Sequence, residues 1–413
     1  MELVKTEQKK FADYLEFLDP EDINEFKTVL QQLQGKKAAM VSATGYGGGV
    51  AEKLHSLVPL LNDLGVKVDW WVLSSCPNQF FNITKSFHNC LQGQEGCLLQ
   101  RDIDIYLHYN ELNAFQMQDW NYDFIVIHDP QPAALLHYRG KKPGEKWIWR
   151  CHIDTSAPNM DYWNFLYRYI SLYDACIFTL EDYVKENHNL QNITFMTPSI
   201  DPLSFKNIPL TQERAQEIVA SFGIDVNRYL ITQISRFDPW KDPLGVVDVY
   251  RIVKKELPEV QLALVGSMAS DDPEGWDYLY RTLRKAGEDY DIKIVTNFNG
   301  ITGLEVNAFQ TVSDVLLQKS LREGFGLTVT EGLWKSRPVI GGNVGGIRLQ
   351  IEDGENGYLV NTVEECAEKV LHLLRNPLLA QEMSKKGREK VRKEFLVTKN
   401  VLRYLKLFLK LAK

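Results

Sequence analysis

The chain has 413 residues, a formal net charge of -7 and 44% hydrophobic residues. Its length favours two domains over one, and its acidic balance argues against nucleic acid as a partner, because such binders carry a basic excess. No uninterrupted apolar run is long enough to cross a bilayer, and the charged start "MELVKTEQKKFADYLEFLDPED" lacks the apolar core and cleavage site of a signal peptide, so no membrane contact is expected.

In chain order, "KAAMVSA" (37–43) reads as a buried strand. A glycine cluster follows, and "VAEKLHSLVPLLNDL" then sets Val50, Leu54, Leu57, Val58 and Leu61 at helical spacing. "VKVDWWVL", "FIVIHD", "WIWRCHID", "DACIFT" and "NITFMTPS" read as further strands, separated by helical or polar stretches. This repeated βα unit predicts a mostly parallel sheet covered on both faces.

The pattern breaks at the polar, proline-bearing "PLSFKNIPLTQER" (202–214), where a domain boundary is expected. A second series follows: "YLITQIS", a helix after Asp242, "VQLALVG", a helix through "GWDYLYRTLRKAG", "DIKIVTN", a helix near 303–311, "DVLLQKS" and "PVIGG". The prediction is an α/β protein of two doubly wound, Rossmann-like domains, 1–205 and 206–394. Ligands would sit at the carboxyl ends of the strands, in an interdomain cleft.

From 395 to 413 a terminal helix sets Lys399, Arg403, Lys406, Lys410 and Lys413 opposite Leu402, Leu405 and Leu409. A membrane-surface helix and a closing helix docked on the body both fit that stripe. The docked helix is the expectation, because a basic face alone carries little information.

The six cysteines are scattered, with no C-x-x-C and no metal-like spacing, which suits a reducing cytosol and a cytoplasmic protein. The two D-x-D triplets, Asp102/Asp104 and Asp289/Asp291, are no more than composition supplies, so no metal site is assigned.

Three loops carry chemistry. "SATGYGGGVAEKL" puts Gly47, Gly48 and Gly49 before a helix, where backbone amides and the helix dipole favour an anion; its spacing is not that of a nicotinamide-binding turn. "SRFDPWKD" places Arg236 and Lys241 beyond a strand end, and two cations there can neutralise a diphosphate without a metal. "REGFGLTVTE" places Glu323 in a glycine turn, followed by Gly324, Phe325, Gly326, Leu327 and Thr328, with Glu331 inside the next helix. A carboxylate is a good bidentate acceptor for vicinal hydroxyls, so each glutamate suits one sugar ring.

Together these motifs resemble the retaining nucleotide-sugar glycosyltransferases of GT-B fold, across nearly the whole chain. "HDPQPAAL", "RCHIDTSAPN", "TPSIDP" and "LVGSMASDDPEGW" are more narrowly similar to the trehalose-forming glycosyltransferring synthases. At Thr197 the sequence departs from the proline expected there. The resemblance implies a nucleoside-diphosphate glucose as donor and free glucose as acceptor, with α,α-trehalose as a reversible product and a homodimer as the assembly. It implies no tightly bound cofactor, with Mg2+ acting only through the nucleotide sugar.

By the same resemblance, Arg236 and Lys241 bind the departing diphosphate and Glu331 holds the ribose. Glu323 and the amides of 324–328 hold the glucosyl ring, and Gly48 and Gly49 lie beside the phosphates. His152 sits at the reacting carbon, and Asp154 is a candidate for the acceptor pocket. Apart from the resemblance, His128 and Asp129 end another strand, and that strand-end position makes them candidates to line the acceptor site. Retention would follow a front-side route, in which the phosphate oxygen takes the acceptor's proton. A phosphorylase of the same fold and a non-catalytic sugar binder remain alternatives.

Overall fold

A computed structural model of the chain describes all residues except 47, 185–188 and 269–272. Gly47 and part of "LVGSMASDDPEGW" thus lie outside the described residues. The chain divides into two compact units, Met1–Ser199 with Val397–Lys413, and Ile200–Leu396. The first unit therefore ends at Ser199, where the sequence pattern suggests 205, and it takes back the terminal helix.

In the first unit the strands are β1 (Glu2–Leu3), β2 (Lys37–Ser42), β3 (Lys67–Val72), β4 (Phe124–His128), β5 (Lys146–Arg150), β6 (Ala175–Phe178) and β7 (Ile193–Phe195). They form one sheet in the order β1-β3-β2-β4-β5-β6-β7, parallel except for β1. Its helices are α1 (Pro20–Gln32), α2 (Gly48–Asp63), α3 (Asn78–Leu91), α4 (Gln100–Phe115), α5 (Leu135–Arg139) and α6 (Met160–Ile170). Every residue of β4, Phe-Ile-Val-Ile-His, is buried. That is why it reads as a continuous apolar run: helices cover both faces of the sheet.

The second unit carries helices α7 (Gln212–Ala220), α8 (Pro243–Glu256), α9 (Pro273–Ala286), α10 (Gly303–Val312), α11 (Leu327–Trp334), α12 (Ile347–Gln350), α13 (Val363–Arg375) and α14 (Pro377–Glu394). Its strands are β8 (Leu230–Ile234), β9 (Gln261–Gly266), β10 (Ile292–Thr296), β11 (Val315–Gln318), β12 (Val339–Gly342) and β13 (Tyr358–Val360). The order β10-β9-β8-β11-β12-β13 is wholly parallel. The direction in which successive strands are added across the sheet reverses between β8 and β11, the switch point at which a doubly wound sheet opens a crevice. In the first sheet the corresponding point lies between β2 and β4.

The last helix, α15 (Val397–Ala412), packs on α1 and α2 of the first unit. Its basic stripe is largely used for that docking. Lys399 pairs with Asp22, Lys406 pairs with Glu25, and Arg403 donates to Thr197 Oγ1 at 2.7 Å. Its apolar side brings Phe408 onto Phe124 at the start of β4, ring centroids 4.4 Å apart and nearly parallel. Among the described residues, no helix is long and apolar enough to cross a membrane.

Candidate functional site

The second unit gathers charged groups at its switch point. The β8 loop turns through Asp238, whose carboxylate caps the short 3-10 turn Pro239–Lys241 by accepting from Lys241 N at 3.1 Å. The turn presents Lys241, which pairs with Glu323 from the loop after β11. Glu323 also receives Ser320 Oγ at 3.2 Å and Gln318 Nε2 at 3.4 Å. Arg236 projects from the same β8 loop with 53% of its side chain exposed, 3.4 Å from Asp238. Sequence reasoning assigns Lys241 and Glu323 to different parts of one ligand; in the structure they hold each other.

Gly326 ends the glycine turn with φ +84°, and a Cβ there would lie 3.3 Å from Glu323 Cγ. Leu327 and Thr328, half-buried, open α11 directly after it, and Thr328 Oγ1 donates to Gln318 Oε1 at 2.7 Å. The neighbouring loop closes in at Gly346, where a Cβ would come within 2.5 Å of Phe325 Cα. Gly346 N donates to Glu323 O at 3.3 Å, tying the two loops together.

Phe325, whose backbone amide is the group expected to face the donor, has a buried side chain, its ring edge-on to Phe395 at 5.6 Å. One expectation needs correcting on geometry. Glu331 has 0% exposure. α11 buries residues Val329 to Trp334 without a break, so no face of its second turn reaches solvent. Glu331 Oε2 accepts from Gln310 Nε2 at 2.8 Å, and Oε1 lies 3.2 Å from Lys206 Nζ. The half-buried Lys206, not Glu331, is the charged group of this pair that meets solvent.

In the first unit, β2 leads into the glycine loop. Gly48 has φ +76° with open space where a Cβ would stand, and Gly49 is exposed beside it. Glycine here serves the backbone turn rather than relieving a crowded packing contact.

Beyond β4, Asp129 adopts a left-handed φ of 64°, and its Oδ1 accepts from His152 N at 2.8 Å. His152 follows β5. Its Nε2 lies 3.0 Å from His128 Nδ1, with the two rings stacked, and its Nδ1 lies 2.9 Å from Lys53 Nζ of α2. Both ring nitrogens of His152 thus have protein partners, and a hydrogen bond to a sugar requires one of them to let go. Asp154 turns back on its own loop, accepting from Ser156 N at 3.0 Å.

The charges in this cluster disturb one another. Burial, reinforced by Arg150, pushes Lys53 down to about 7. Burial raises Asp129 to about 6, against the hydrogen bond from His152 N and the pull of Lys53 and Arg150. Both histidines fall well below the ordinary imidazole value, first by burial and then by Lys53 and Arg150. They are therefore neutral near pH 7. Arg150 is buried behind the cluster, donating to the carbonyls of Phe178 and Met196.

Sequence reasoning missed Lys53, Arg150, Lys206, Gln310 and Lys319. The available signal was polar residues in otherwise apolar runs: Arg150 within "WIWRCHID", Lys319 within "DVLLQKS". Lys53 looks like any solvated helical lysine, and nothing near Lys206 marks it. Among the described residues, no group of three or more His, Cys, Asp or Glu is placed to hold a metal ion.

Residues 40–185 match the family model described as "Trehalose synthase, N-terminal domain", and residues 214–390 match "Glycosyl transferases group 1". A trehalose synthase from Thermococcus litoralis is 49% identical over 402 residues, covering 97% of each chain. A trehalose phosphorylase from Grifola frondosa is 28% identical over 87% of this chain and 55% of its own. Among solved structures, a sucrose-phosphate synthase from Thermosynechococcus elongatus is similar with a TM-score of 0.73 at 16% identity, over 91% of this chain and 99% of that one. Two doubly wound units with these matches define a glycosyltransferase of GT-B fold. More narrowly, the chain belongs to the trehalose synthase family.

Proposed function

We propose that the protein transfers a glucosyl group from a nucleoside-diphosphate glucose to free glucose. The products are α,α-trehalose and the nucleoside diphosphate, the anomeric configuration is retained, and the reaction is reversible. The observation that carries this reading is the Lys241–Glu323 pair at the switch point of the second sheet, with Arg236 exposed beside it. A diphosphate is the ligand such cations suit, and a carboxylate in the same place suits sugar hydroxyls.

In this reading donor binding exchanges partners. The diphosphate takes Lys241 and Arg236, while Glu323, released, takes the glucosyl hydroxyls together with the amides of 324–328. As the glycosidic oxygen leaves, negative charge gathers on phosphate, and the two cations stabilise it more in the transition state than in the ground state. The acceptor hydroxyl forms the new bond on the departing side and gives its proton to the phosphate oxygen.

Gly48 and Gly49 would offer amides to the phosphates. His152 would contact the donor by releasing Lys53 or His128, with Asp129, His128 and Asp154 around the acceptor. Glu331 would reach a ribose only if Lys206 swings aside. No protein-bound cofactor enters this scheme, and Mg2+ would act by binding the nucleotide sugar's phosphates.

Purified protein with a panel of nucleoside-diphosphate glucoses and free glucose, followed by NMR, tests the reading. Formation of α,α-trehalose with nucleoside diphosphate supports it. Trehalose formed only from glucose 1-phosphate, with phosphate released, would replace it with the phosphorylase reading.

A further inference from the structure

The cation nearest to full burial at the second unit's switch point is not one that the donor reading uses. Lys319, one residue beyond β11, is 5% exposed and pairs with Asp242. Asp242 directly follows Lys241 and stands in the left-handed region, φ 48° and ψ 51°, a conformation that non-glycine residues rarely adopt. The same carboxylate caps α8 by accepting from Gly245 N at 3.0 Å. It sits so close that a Cβ on Gly245 would come within 2.1 Å of Asp242 Oδ2.

A second link runs through Gln233, near the end of β8. Its Nε2 donates to Lys241 O at 2.9 Å, and its Oε1 accepts from Lys319 N at 3.3 Å. The backbone of Lys241 is therefore held on both sides. Gln233 grips its carbonyl, and Lys319 anchors the side chain of the strained residue that follows.

A buried ion pair is a poor way to gain stability, since apolar replacements are often neutral or better. Backbone strain next to a ligand loop persists where the surroundings over-determine it. Lys319 is already paired and shielded, so it is not offered to a ligand. Its effect falls on where Lys241 points.

We infer that Lys319 is a positioning residue: through Asp242 it fixes the left-handed turn that aims Lys241 at the departing phosphate. This rests on the diphosphate role given to Lys241 above.

A double-mutant cycle tests it. Lys319→Met, Lys241→Ala and the pair are compared for kcat and for KM with free glucose, alongside Lys319→Arg. Misplacing a catalytic group by about 1 Å costs on the order of 100-fold, so Lys319→Met is expected to lower kcat by about that factor, with KM for glucose nearly unchanged. Added to Lys241→Ala, it is expected to cost less than about twofold more, because both act through one group. Lys319→Arg should recover part of the loss.

Multiplicative losses, or a wild-type kcat in Lys319→Met beside an impaired Lys241→Ala, overturn the inference alone. A normal kcat in Lys241→Ala overturns the diphosphate role and the inference with it. If Lys319→Met does not fold, Asp242→Asn, which keeps the helix cap and drops the charge, takes its place in the cycle: a non-multiplicative loss with Lys241→Ala supports the inference, and a multiplicative loss or a wild-type kcat overturns it.

Discussion

Lys53 Nζ stands 2.9 Å from His152 Nδ1, and this contact sets the proton order of a buried chain. Below its titration near 7 Lys53 is an ammonium that only donates, so Nδ1 accepts, and a neutral His152 then carries its proton on Nε2. That proton is given to His128 Nδ1, which leaves the proton of His128 on Nε2, a buried atom without a hydrogen-bond partner among the described residues. While it is charged, one lysine thus fixes the tautomers of two histidines.

The same lysine makes stability depend on pH. Lys53 is lowered from the ordinary 10.5 to about 7 by burial and Arg150, so between those values the unfolded chain binds a proton that the native chain has lost. Stability therefore rises with pH across that window. Lys53→Met removes the titrating group and should flatten the rise. Urea unfolding of both proteins at neutral and alkaline pH checks it, and parallel slopes would contradict the assignment.

Lys241→Ala and Arg236→Ala should each cut turnover while the fold persists. A lost donor to developing charge costs about 3–4 kcal/mol in comparable sites. Lys241→Ala should also unpair Glu323, so its donor KM is expected to change as well. Near-normal kcat in both variants would remove the diphosphate assignment.

Glu331→Ala should destabilise as well as weaken donor binding. It strands the amide of Gln310 and takes the carboxylate away from Lys206. An unmatched buried polar group costs about 1–3 kcal/mol. An unchanged melting temperature would show that the buried network contributes nothing. A changed KM with unchanged kcat would fit a ribose contact.

Gly326→Ala tests the turn that carries Glu323. At φ +84° a side chain is strained by about 1–2 kcal/mol, and its Cβ would press Glu323 Cγ at 3.3 Å. Lower stability and lower kcat together are expected. A stable variant with normal kcat would mean that the glycine is incidental.

Much of the fold was legible in the sequence because strand, loop and helix alternate with strong periodicity. The runs "FIVIHD" and "VQLALVG" could hardly be anything but buried parallel strands, and Arg236, Lys241 and Glu323 follow strand ends. What stayed hidden are partnerships across sequence distance. Helical spacing let Glu331 face any direction, and only the packing of α11 on all sides shows that it is buried. Lys53 reads as a solvated helical charge until β5 brings His152 to it. The basic terminal stripe acquired its meaning from Asp22 and Glu25, near the opposite end of the chain.

The proposed reaction itself is open to a single decisive experiment: NMR of purified protein incubated with a nucleoside-diphosphate glucose and free glucose. Glucose phosphate, fructose and glycerate serve as competing acceptors. The expected products are α,α-trehalose and nucleoside diphosphate in equal amounts, with glucose as the preferred acceptor. Binding of nucleotide sugars without glycosylation of any acceptor would contradict the proposed transfer.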